Sequence, residues 1–537
     1  MDLDVQVIFW YALPMFVETP RGIIELEAFS CPLPGAFAVV LPILRRIGVA
    51  AVIDRICPIG GQALLSHGKA VEVLILNILD SQLRAPLYKL DRWAADRHLE
   101  LIYGQPARCL NDDRFGRALD AISGHIAEIE TAVVSVALQQ FNIDARRIHW
   151  DLTNVTFADA REESEIVCRG YGNGRLHDRQ VQISLNATGD GGIPVRHETL
   201  AGSANQTPLG PGILGDLQQR LGRSDLIIIS DRAGFSYDTI AAYRRSKAHF
   251  VGPLQVREPQ QAVMEAPPLD DFEELSYRSM KAPDDASRAY PTTLTLGARD
   301  DRKPRHEVDA LVIHTDSKAR EDSKERDKHI KRASERLDDI SGKLNARRYA
   351  QADYAREQLQ KAVPAEVARI VRWELSGADK ALSLRYWTDL DALEAAIAVQ
   401  GRYILIYDLP GEPTPDKVFG MYKDQHQIES RFRNLGSDLS ITPIWLQKDN
   451  RIAALILVLV LALIAYTLLE LCSVRAGLKG DTYHKLTARA LLEQMKGIHL
   501  QVVRTRGSPP SQELRLPAEV RQLVRKLGFP DPAIWLH

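Results

Sequence analysis

Three carboxylates stand out by type and position: Asp151, Asp231 and Glu429. Asp151 sits in the middle of the strand-like run IHWDLTN, and Asp231 closes the apolar run LIIIS. Glu429 lies on a run read as a helix after the strand-like RYILIYDL. A carboxylate at the end of an apolar strand is costly to bury unless it is paired or binds a metal. In open α/β sheets, reactive groups gather at strand ends. Two strand acids and one helix acid can hold two divalent ions, which activate an attacking oxygen and stabilise a leaving one at phosphorus. Oxygen-only ligands select Mg²⁺ or Mn²⁺ over zinc. The plainer alternative is that a strand-end Asp caps the next helix.

Around Glu429, the residues Tyr422, Gln425, Glu429, Arg433 and Gly436 recur at intervals of three and four. They share one face of a helix expected from about Pro415 to Leu435. Ile428, Phe432 and Leu435 form a second stripe suited to a core. Arg431 and Arg433 carry planar guanidinium groups suited to phosphate. An ordinary amphipathic helix has the same pattern.

The elements that must position these residues can be read from periodicity. Residues 1–33 are an uncertain extension, because acidic Asp2 and Asp4 precede an apolar run that lacks the basic start of a secretory signal. Residues 34–145 read as a helical domain, expected to bind DNA, with KAVEVLILNILD and EIETAVVSVALQQF at helical spacing. Residues 146–255 read as short β-branched strands, a hairpin at Gly189-Asp-Gly-Gly, and then alternating helix and strand. Residues 256–400 begin with a Pro-, Asp- and Glu-rich stretch read as loop as far as about Arg305. A charged helix follows, with an apolar stripe of Ile330, Ala333, Leu337, Ile340 and Leu344 that could dimerise or pack on its own chain. Residues 401–475 carry the Glu helix and an apolar helix, and 476–537 form a helical or irregular tail.

A chain of 537 residues suggests about three domains. With 45% hydrophobic and 26% charged residues, its composition is that of a globular protein. A net charge of -2 excludes a small, strongly basic DNA-binding protein but leaves room for a local basic track. Arg45, Arg46, Arg84, Arg92 and Arg97 are candidates for that track, or simply solvated arginines. The five scattered cysteines contain no C-x-x-C pair, which argues against zinc and disulfides and fits a reducing cytoplasm. Ile452–Leu469 is uncharged and long enough to span a membrane. The absence of a basic flanking cluster favours a buried core helix.

The stretch Tyr422-Lys-Asp-Gln425-His-Gln-Ile-Glu429-Ser-Arg-Phe-Arg-Asn-Leu-Gly436 resembles the signature of bacterial insertion-sequence DDE transposases. In that signature Tyr, two residues, Arg, three residues, Glu, six residues and Lys follow in order. Asp151-Leu-Thr-Asn-Val-Thr-Phe resembles the first acidic strand of that group, and Asp231-Arg-Ala-Gly-Phe the second. LSHGKAVEVLILNIL, LNDDRFGRALDAI and DGGIPVRHETLAGSANQT resemble further blocks in the same order, so the likeness covers roughly Pro34 to Leu471.

The resemblance implies an α/β fold. Its elements would be a ribonuclease H-like mixed-sheet core, a helical N-terminal domain, and a large insertion between the second Asp and the Glu. Asp231 and Glu429 are 198 positions apart, against 80 for Asp151 and Asp231. Gln425 departs from the usual Arg, and Gly436 from the usual Lys.

By the same resemblance, Asp151, Asp231 and Glu429 hold two Mg²⁺ or Mn²⁺ ions. A metal-activated water cuts the element's end, and the freed 3′-OH is transferred to target DNA. Tyr422, Gln425, Arg431 and Arg433 are the candidate DNA contacts. Trp373 and Trp387 in the insertion are candidates for stacking on a flipped base, or core residues. The implied partners are double-stranded DNA, as terminal inverted repeats and target, and a second copy of the chain on that DNA; no membrane is implied. The alternatives are an inactive or domesticated DNA-binding relic, and a ribonuclease H-like nuclease without strand transfer.

Overall fold

The computed structural model describes residues 15–19, 22–61, 63–81, 84–157, 164–170, 179–204, 211–231, 235–278, 282–297, 305–425, 429, 431, 446, 448–480, 486–505 and 511–530. At 15–33, 156–157, 211, 258–259 and 499–515 it describes the backbone alone. The α/β chain divides into two compact units: residues 1–228 with 424–537, and residues 229–423.

The first unit opens with strands β1 (Met15–Thr19) and β2 (Gly22–Pro34). Helices α1 (Phe37–Arg46), α2 (Val49–Ile56), α3 (His67–Ile78), α4 (Leu90–Asp96), α5 (Glu100–Tyr103), α6 (Asp112–Ser123) and α7 (Ile126–Gln140) follow. α3 is almost wholly apolar beyond its first turn and is buried along nearly its whole length. Ser66 caps it by accepting the Lys69 backbone N–H.

Strands β3 (Arg147–Phe157), β4 (Cys168–Arg169), β5 (Arg179–Thr188) and β6 (Pro194–Ala201) come next, then α8 (Pro211–Leu221) and β7 (Ile227–Ile229). β5 pairs antiparallel with β3, β4 and β6. The expected hairpin at Gly189–Gly192 joins β5 to β6, with Gly191 and Gly192 at φ 77° and 63°, conformations that side chains disfavour.

The second unit contains α9 (Tyr237–Arg245), β8 (His249–Pro253), α10 (Glu258–Glu265), β9 (Glu273–Glu274), β10 (Ser287–Leu296) and β11 (His306–Thr315). It continues with α11 (Asp316–Lys343), α12 (Ala352–Ala362), β12 (Val371–Ser376), β13 (Ser383–Thr388), α13 (Leu390–Val399), β14 (Arg402–Asp408) and α14 (Pro415–Lys423). Its strands run β8–β14–β11–β10–β9, and β12 and β13 form a separate hairpin.

Two expectations fail in this unit. The stretch to Arg305 is not loop throughout, because β10 pairs with β11 from Ser287↔Thr315 to Leu296↔His306. Pro291 disguised this strand. It lies beyond the two residues paired with β9, at a sheet edge where no N–H is needed on that side. The helix expected from Pro415 to Leu435 is also not continuous: α14 stops at Lys423, and Asp424 and Gln425 form a turn. The stripe on α11 packs within its own chain, where Ala333, Leu337 and Ile340 join Leu359, Val367 and Val371 in one core.

The first unit resumes with α15 (Asp449–Arg475), α16 (Ala488–Gln494), β15 (His499–Thr505), β16 (Ser511–Arg515) and α17 (Ala518–Lys526). α15 has the length and hydropathy of a membrane span, but 94% of its apolar window is buried inside the chain. It packs against α1, α3, α6, α7, α16 and β6. Its charged N-terminal end is tied down by Arg451 on Asp120 at 2.6 Å and by Asp449 accepting from Ser164 at 2.6 Å. The segments set aside as extension and tail form one antiparallel sheet, β1–β2–β15–β16.

Candidate functional site

Asp151 lies mid-strand on β3, opposite Leu185 of β5. It is half-buried, and its carboxylate accepts the Leu152 backbone N–H at 2.8 Å. On the opposite face of β3, Trp150 is buried and donates to Ser184 at 2.9 Å. Because successive side chains alternate, that anchor fixes the face on which Asp151 emerges.

Behind β5, β6 is braced by a buried polar network. Glu130 of α7 accepts from the His197 backbone N–H at 2.9 Å, from His197 Nδ1 at 2.5 Å and from Arg220 of α8 at 2.9 Å. Asp216 bridges Arg220 and Arg196. Burial pushes the Asp216 carboxyl up, but the hydrogen bonds and charges of the two arginines hold it below its ordinary value.

Asp231 follows β7, whose three isoleucines are buried, after the fully buried Ser230. It is half-buried. It does not cap the next helix: Ser236 does, by accepting the Thr239 backbone N–H at 3.2 Å. Phe235, Tyr243 and Phe250 pack their rings 5.7–6.5 Å apart. Gly252 of β8 admits the close approach, since a Cβ there would lie 2.1 Å from the Phe235 ring and 2.7 Å from the Ser230 carbonyl oxygen.

Glu429 is exposed, in helical conformation, with its backbone N–H on the Gln425 carbonyl at 3.4 Å. Gln425 is buried. Arg431, read from sequence as a phosphate contact, is only 5% exposed. Its guanidinium donates to Glu470 of α15 at 3.1 Å and to the Gly191 carbonyl at 2.9 Å. Those partners hold the group inside the first unit. Arg433 and Gly436 lie outside the described residues.

Tyr422 belongs to the second unit. It lines a cavity of about 290 Å³ with Thr315, Ser317, Lys318, Tyr403 and Lys423. Its ring lies 6.3 Å from that of Tyr403, and the Lys423 ammonium sits 5.7 Å from it. Sequence reasoning missed Lys318 and Ser317, which open α11 behind the cap residue Thr315; the only local signal was the run Thr-Asp-Ser-Lys at a helix start.

Of the candidate basic track, Arg97 is buried on Asp80 at 2.9 Å and Arg46 donates to the Gln140 carbonyl at 2.7 Å, while Arg92 is exposed. Trp373 is half-buried against the α11 core, and Trp387 is exposed beneath Arg385.

Asp151 and Glu429 therefore belong to the first unit, and Asp231 to the second. Among the described residues, no group of three or more His, Cys, Asp or Glu side chains is arranged to hold a metal ion.

Residues 35–135 match the model of a domain of unknown function, DUF4277. No curated protein matches the chain. Among solved structures, it is similar to the cryo-EM structure of a piggyBac transposase synaptic complex with hairpin DNA, at 10% identity and a TM-score of 0.34. That comparison covers 87% of this chain and 80% of the other, and at this score it establishes neither fold nor activity.

Proposed function

We propose that the chain is a DNA transposase with a ribonuclease H-like core, and that Asp151, Asp231 and Glu429 are its catalytic acids. The observation that carries this reading is Asp231. It stands half-buried directly behind a wholly apolar strand while Ser236 performs the helix cap. Ser236 thus leaves the Asp231 side chain out of the helix cap, at a strand end of the kind where reactive groups gather in open α/β sheets. Asp151 on a strand pinned by Trp150 and an exposed Glu429 on a late helical segment complete the order of acids that the sequence motifs suggest.

The three carboxylates suit Mg²⁺ or Mn²⁺ in donor type. Bound there, the ions would supply an activated oxygen and stabilise the leaving one. The chain's own part is to bind and orient DNA. Tyr422, with Lys423 and Lys318 beside it, is the candidate phosphate contact in the second unit. The substrate would be double-stranded DNA at element ends, joined afterwards to target DNA by the same enzyme acting as a homodimer in the cytoplasm.

The test is cleavage of a plasmid that carries the gene with its flanking DNA, in Mn²⁺. Wild type is expected to nick at the ends and join a precut end to plasmid, whereas Asp151→Ala does neither. Equal nicking by both proteins removes the catalytic assignment. Nicking without joining would favour the nuclease.

A further inference from the structure

We infer that Arg431 is a positioning residue for Glu429 and not a DNA contact. The inference rests on the reading of Glu429 as a catalytic acid, and its geometry lies wholly within the first unit. Glu429 is exposed and lies two positions from Arg431. The segment is fastened on both sides. Before it, Asp424 pairs with Arg147, the first residue of β3, at 3.2 Å. After it, the buried Arg431 guanidinium reaches Glu470 of α15 and the Gly191 carbonyl in the β5–β6 turn.

The turn is shaped for that guanidinium. A Cβ at Gly192 would lie 2.7 Å from Arg431 Nε. The turn is itself held, because Asp190 pairs with Arg475 at 3.3 Å and Gly189 donates to the Arg147 carbonyl at 2.8 Å. Glu470 also accepts the Ala488 N–H at 3.4 Å, which ties its carboxylate to the start of α16. Asp424, Arg431 and the turn thus tie the Glu429 backbone to the start of β3, the strand that carries Asp151.

The experiment compares full-length wild type, Arg431→Gln and Glu470→Gln. Hydrogen exchange is read over 424–431, and affinity for a labelled duplex of the flanking DNA is read over a salt series. A positioning role predicts faster exchange in both variants, an unchanged salt slope, and a matching loss of nicking of roughly 10- to 100-fold. Gly192→Ala, which leaves every charge in place, should also speed exchange there. A phosphate contact predicts that Arg431→Gln alone flattens the slope by about 1. That result, or unchanged exchange in both variants, overturns the inference. If wild type fails to nick, the proposed function fails, and the exchange arms still decide the role of Arg431.

Discussion

Replacing Glu130 by Leu should destabilise the first unit far more than its single-residue scale suggests. Glu130 is 1% exposed on α7 and is the shared acceptor for three donors on β6 and α8. Leucine preserves the volume but offers no acceptor. The His197 backbone N–H is then buried without its partner, which costs about 1–3 kcal/mol. Arg220 loses one of its two carboxylates and keeps Asp216. Breaking a buried charged pair by removing one member costs about 3–5 kcal/mol in total. The first unit spans residues 1–228 and 424–537, roughly 340 residues, so its unfolding entropy near 60 °C is about 0.7 kcal/mol/K. A loss of about 4 kcal/mol therefore lowers its melting temperature by about 6 °C. Differential scanning calorimetry reads the shift, and hydrogen exchange of α7, β6 and α8 locates it. A shift below about 1 °C, or one that leaves those three elements protected, would refute the claim that this network binds the helices to the sheet.

Three further outcomes follow from the same geometry. Gly252→Ala forces a Cβ to within 2.1 Å of the Phe235 ring, so it should cost about 1–3 kcal/mol in thermal unfolding; a neutral variant would show that the close approach is not required. Glu72 is fully buried, and burial outweighs both the Arg45 charge and the Tyr103 hydrogen bond in raising its pKa. The folded state therefore favours its protonated form and loses stability as pH rises through that raised value; Glu72→Gln should be stabilising at neutral pH by about 1 kcal/mol and flatten this dependence, as calorimetry at two pH values would show. Asp216 behaves with the opposite sign: its lowered pKa gives stability present above the ordinary value of 3.8 and lost as pH falls through the folded value, so Asp216→Asn, which lacks that stability, should unfold at a higher acid midpoint in a circular-dichroism pH titration, and an unchanged or lower one would refute the assignment.

The residues themselves disclosed what depends on local chemistry. The isoleucines before Asp231, the Gly-Asp-Gly-Gly turn and the helical spacing of α3 and α9 each fix their own conformation within a few residues, so strand, hairpin and helices stood where periodicity placed them. The uncharged run of α15 announced burial without saying against what, since composition carries no address. Tertiary structure decided the rest. Only pairing between strands some 470 positions apart turns the opening and closing segments into one sheet, and no local pattern encodes a partner at that distance. Only an edge position makes Pro291 compatible with a strand. Arg431 has the same side chain whether it meets phosphate or Glu470. Its partners were set by a helix and a glycine turn that reach it from 39 and 240 positions away, because contacts form between groups close in space and not in sequence.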